Sequence, residues 1–153
     1  MSDPSGWREG IWRLLTSTGV THPRQAAAKL SVAEALLFKE DLNPANYGVV
    51  RDAVGHVRLA PLFDLTGAFG TFNKVIYTAG SKGSLVAALY VSTRFRELDP
   101  AWDYSWLDLS ALDGFGEELE TTLLSCDALL TDYPALAREL FEMQRAHVAS
   151  VIG

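Results

Sequence analysis

Apolar positions recur at helical spacing along most of this chain and change rhythm only once. Trp7, Ile11, Leu14 and Leu15 share one face of a helix over residues 6–18, which Thr18 and Gly19 end. Ala26, Ala27, Leu30, Ala33, Leu36 and Leu37 form a second stripe. It predicts a helix from Pro23 to Phe38, with Thr21 as its cap and Pro23 tolerated in the first turn. The rhythm then breaks: Tyr47-Gly-Val-Val50 and Val57-Arg-Leu-Ala-Pro-Leu62 are short, apolar and partly β-branched, and turn residues occupy 51–56 between them. That pattern predicts a β-hairpin folded about Gly55.

Glycines at 67, 70, 80 and 83 mark a loop region, and Leu85, Ala88, Leu89, Ser92 and Phe95 favour a helix over 84–97. Trp102, Tyr104 and Trp106 are dense enough to pin a loop onto the core. Asp113 caps a predicted helix over about 116–130, with Glu117 and Glu118 at its positive end. Asp132 and Pro134 open the last helix, whose stripe is Leu136, Leu140, Met143, Val148 and Val151. The expected fold is mainly α with one small β-hairpin, a single domain over residues 1–153.

Composition narrows the functional classes. A hydrophobic fraction of 48% and a charged fraction of 21% over 153 residues suit one globular domain. The net charge of −6, with no run of Lys or Arg, gives a nucleic-acid partner nothing to hold. The single cysteine, Cys126, excludes an internal disulfide, and its apolar setting predicts a buried filler. His22, His56 and His147 have no metal-ligand spacing, and His56 is expected to be solvated in the hairpin turn. No apolar stretch reaches the length of a membrane span and the polar N-terminus is no signal peptide, so no membrane association and a cytoplasmic location are expected.

Candidate chemistry concentrates around the hairpin. Asp41-Leu-Asn-Pro-Ala-Asn46 precedes it and Leu59-Ala-Pro-Leu-Phe-Asp64 ends it. The order Asp, Asn five positions on, then Asp after an apolar run is the order used in kinase phosphoryl transfer. A carboxylate can accept the proton of an attacking hydroxyl, while an amide oxygen and a second carboxylate suit a hard cation. In a hairpin folded about Gly55, Asn46 and Asp64 are equidistant from the turn and would face each other at its open end. The same residues read equally well as a turn bracketing a hairpin. Gly80-Ser-Lys-Gly-Ser84 lacks the spacing of a phosphate-binding loop and reads as a connection to the next helix.

Asp41 to Asn46 resembles the catalytic loop of protein kinases and aminoglycoside phosphotransferases. The longer run from Leu36 through Asp52 and on to Asp64 is more similar to HipA-like serine/threonine kinases. There an Asp-x-His-x-x-Asn loop is followed by a hairpin and a Leu-x-Pro-hydrophobic-Tyr/Phe-Asp segment. Ser105 to Phe115 and the helical tail also look like the end of such a domain. The resemblance implies a kinase C-terminal lobe with Asp41 as catalytic base, Asn46 and Asp64 as Mg²⁺ ligands, and ATP as the phosphoryl donor. Lys74 and Lys82 would be the phosphate contacts.

Departures from the family pattern are specific. Asn43 stands where the loop carries His, Ala45 where a larger and often basic residue is usual, and Lys39-Glu40 precede the Asp. No Gly-rich loop and no Val-Ala-x-Lys strand lies in the 40 residues ahead of Asp41. The chain thus looks like a kinase C-lobe without the nucleotide-covering N-lobe, and activity is expected to need a partner chain that supplies it. The alternative expectation is a non-catalytic, pseudokinase-like module that regulates a kinase or a toxin–antitoxin partner.

Overall fold

Residues 4–38, 44–64, 68–70, 98–126 and 132–153 are described by the computed structural model of the chain. Among them, four α-helices carry most of the regular structure: α1 (Pro4–Ser17), α2 (Pro23–Leu36), α3 (Phe115–Leu124) and α4 (Tyr133–Ile152). The strands β1 (Val49–Arg51) and β2 (Val57–Leu59) form one two-stranded antiparallel sheet. The molecule is thus mainly helical with a small hairpin, as its hydrophobic pattern predicts. The predicted helix over 84–97 falls outside the described residues.

Helix α1 ends where a glycine allows it. Gly19 takes a positive φ of 75°, and the Thr18 hydroxyl donates to Leu14 O at 2.6 Å. The chain then crosses β2, with Thr21 N–H donating to Val57 O at 2.9 Å. That bond commits the Thr21 backbone to the sheet. The cap of α2 is therefore His22 and not Thr21, and His22 (φ 57°) makes no side-chain capping bond. Ile11, Leu15, Ala26, Ala27, Leu30, Tyr47 and Val57 are buried together, so α1, α2 and the hairpin share one core.

Helix α2 is buried on more than one side, which its small residues permit. Val32 and Ala35 face a second core with Leu98 and Val148, flanked by Tyr104 and Trp106. The aromatic run does pin its loop inwards: the Tyr104 hydroxyl donates to Asp99 O, Trp106 Nε1 donates to Asp103 O, and Trp102 packs against the first core.

Helices α3 and α4 pack through a third core containing Tyr133, Leu136 and Leu140, with Phe38 and Phe69 at its edge. Their rings Phe115 and Phe141 lie 4.8 Å apart, and Arg138 bridges Glu117 (2.6 Å) and Glu120 (3.1 Å). The cap of α3 is Gly114, in a left-handed conformation, and not Asp113; the Asp113 carboxylate accepts from Arg145 of α4 instead. Cys126 follows the end of α3 and is exposed, contrary to its expected burial, because α3 stops at Leu124.

Candidate functional site

Asn46 ends a single 3-10 turn, Pro44–Asn46, which leads straight into the hairpin. It is only 8% exposed, and its Nδ2 is buried with no hydrogen-bond partner among the described residues. The next residue holds it there. Tyr47 is buried and its hydroxyl donates to Oε1 of Glu34, a carboxylate on α2 that is 1% exposed. Burying a carboxylate is expensive, and a hydrogen bond to it offsets much of the cost. The Glu34–Tyr47 bond thus links the backbone beside Asn46 to the central helix.

The hairpin register differs from the one expected. Val49 pairs with Leu59, Val50 with Arg58 and Arg51 with Val57, so the ladder is centred on Val54. Asp52 N–H donates to His56 O and Gly55 N–H to Asp52 O, which closes the loop Ala53-Val54-Gly55. Gly55 is the left-handed last residue of that loop, at φ 95°, and not its midpoint. Asp52 Oδ1 also accepts from the N–H groups of Val54 and His56. Burial works upward on the Asp52 carboxyl, but these bonds outweigh it and hold it below the usual 3.8. His56 is exposed as expected, with Nδ1 3.1 Å from Asp52 Oδ2.

In this register the position across from Asn46 is Leu62, and Asp64 lies two residues further along. Asp64 is exposed and has a positive φ of 51°. Such backbone is uncommon outside glycine and is tolerated best by Asn and Asp. The chain then returns towards α2: Phe69 N–H donates to Leu37 O at 2.8 Å, and the Tyr133 hydroxyl donates to Phe69 O at 3.4 Å. Phe38 and Phe69 both have positive φ, at 49° and 52°. One backbone hydrogen bond therefore closes the segment from Leu37 to Phe69, within which the sequence places Asp41, Asn46 and Asp64. Asp41, Lys74 and Lys82 lie outside the described residues.

The described donors match a hard cation in kind. Asp64 supplies an exposed carboxylate and Asn46 a largely buried amide whose oxygen is the atom that could ligate, and Mg²⁺ takes one or two protein oxygens beside phosphate and water. No cluster of three or more His, Cys, Asp or Glu that could hold a metal occurs among the described residues. Sequence reasoning missed Glu34 and Phe69. Glu34 was detectable: with Ala27 and Leu30 it continues an apolar stripe, where a charge calls for a buried partner. Phe69 acts through its backbone and leaves no signature in its residue type. No protein-family model, no curated protein and no solved structure matches this chain.

Proposed function

We propose that the chain is the C-terminal lobe of a HipA-like serine/threonine kinase, a Mg·ATP-dependent phosphotransferase component completed by a partner chain. The observation that carries the reading is the hydrogen bond from Phe69 N–H to Leu37 O, which closes the segment 37–69, within whose sequence Asp41, Asn46 and Asp64 all fall. It favours a shared locale for residues far apart in sequence. The left-handed backbone at Asp64, a conformation that Asp tolerates, turns the chain at that carboxylate.

In this reading Asp41 accepts the proton of the attacking hydroxyl. Asn46 and Asp64 hold Mg²⁺, which when bound would neutralise charge on the transferring phosphoryl group. Tyr47 and Glu34 keep the Asn46 backbone fixed to α2, and Lys74 and Lys82 contact phosphate. The contacts of this lobe alone are few and must offset the entropy lost on association, so a weak affinity for ATP is expected of it.

Titration calorimetry with Mg·ATP tests this directly. Binding is expected for the chain, and Asp64→Asn is expected to weaken it about tenfold or more. Absence of heat from both proteins would overturn the reading. That outcome would leave the non-catalytic regulatory module, which the burial of Asn46 favours.

A further inference from the structure

A groove of about 920 Å³ runs along α2, between that helix, the end of the hairpin and the stretch 106–112. Its walls are mostly apolar. Ala26, Ala33 and Leu36 line it from α2, Leu59 and Leu62 from the hairpin, and Trp106 from the far side. From His22 to Leu36 the helix wall is about 21 Å long at 1.5 Å per residue.

Two cations stand on this groove. Lys29 on α2 and Arg58 on β2 both line it, both are exposed, and neither makes an ion pair among the described residues. The Lys29 ammonium lies 5.5 Å from the Trp106 ring centroid, which holds it over the groove. The acid that shares the lining, Asp108, is already engaged by the N–H and hydroxyl of Ser110. On a chain of net charge −6 this is a local reversal of sign.

We propose that the groove docks an amphipathic helix of a partner protein whose apolar stripe is flanked by acidic side chains. Three features carry this. The length of the α2 wall matches about four helical turns. The small, partly exposed Ala33 lets a second helix approach closely, and an open apolar trough is how grooves receive such helices. Lys29 and Arg58 then supply the charge complementarity that selects an acidic flank over a basic one.

The test uses a labelled helical peptide of about 15 residues, sized to the wall. It carries Leu at i, i+3, i+4 and i+7 with Glu flanking, and its counterpart has Lys in place of Glu. Fluorescence anisotropy is read in EDTA, so the result is independent of any magnesium site. The Glu peptide is expected to bind about three- to tenfold tighter, the range that two exposed ion pairs supply. The double variant Lys29→Glu/Arg58→Glu is expected to invert that preference, and Ala33→Arg to abolish binding of both peptides. Should Ala33→Arg fail to fold, the double variant decides the matter, because both of its positions are exposed. Equal binding of the two peptides, or binding of neither, would overturn the proposal. So would self-association of the chain that Ala33→Arg abolishes, since a second copy would then be the occupant.

Discussion

Tyr47 is the residue on which the local architecture turns, because it joins a buried carboxylate to the backbone beside Asn46. Hydrogen bonds to charged groups contribute more than neutral ones, and losing one in a buried setting exposes the full cost of desolvation. Tyr47→Phe keeps the ring and removes the donor. It is expected to lower stability by about 1–3 kcal/mol, read as a shift of the urea midpoint at constant slope. A loss under about 0.5 kcal/mol would show that water replaces the hydroxyl and that the bond fixes nothing. The same variant bears on function. If Asn46 depends on Tyr47 for its position, Mg·ATP binding weakens in Tyr47→Phe more than the stability loss alone requires.

At the scale of elements, the hairpin shows what a sequence reveals and what it withholds. Its existence was legible, since two apolar runs flank a cluster of turn residues. Its register was not, because Gly55 marks the turn without fixing its own place within it. The register is set by Asp52, whose carboxylate takes the N–H groups of Val54 and His56 and so closes a three-residue loop with Gly55 last. The helix ends were misjudged for a related reason. Thr21 and Asp113 are good capping residues by type, yet Thr21 is held by Val57 and Asp113 by Arg145, both distant in sequence. Of the candidate site, the residue types of Asn46 and Asp64 were legible. The burial of Asn46, the backbone at Asp64 and the tie from Phe69 to Leu37 belong to tertiary packing. The turn assignment has its own test. Gly55→Ala forces an L-residue to a φ of 95° and is expected to cost about 1–2 kcal/mol of stability. An unchanged urea midpoint would count against the left-handed closing residue.

For the whole molecule, one core carries part of how stability follows pH. The core around Val32, Ala35, Leu98 and Val148 joins α2, the aromatic stretch and α4, so loosening it uncouples three regions together. Tyr104 packs against it, and His147 precedes its Val148 on α4. Burial depresses His147 below its usual 6.5, and Tyr104 is pushed up to about 12, chiefly by burial and then by Asp99. The signs follow from proton binding. Below 6.5 the unfolded chain takes up a proton at His147 more readily than the folded one, so stability falls with pH there. Above 10 the unfolded chain loses the Tyr104 proton first, so stability falls again as pH rises towards 12. Asp103 and Asp108, lowered by bonds from Ser105 and Ser110, contribute stability that is present above 3.8 and lost as pH falls further. Urea midpoints are therefore expected to form a plateau from about pH 7 to 10, with an acid limb that begins well above the carboxylate range. His147→Gln removes the titrating group and is expected to flatten the limb just below pH 6.5 while leaving the alkaline limb in place. An acid limb equally steep in that variant would assign the proton uptake to another group and detach His147 from the stability of this core.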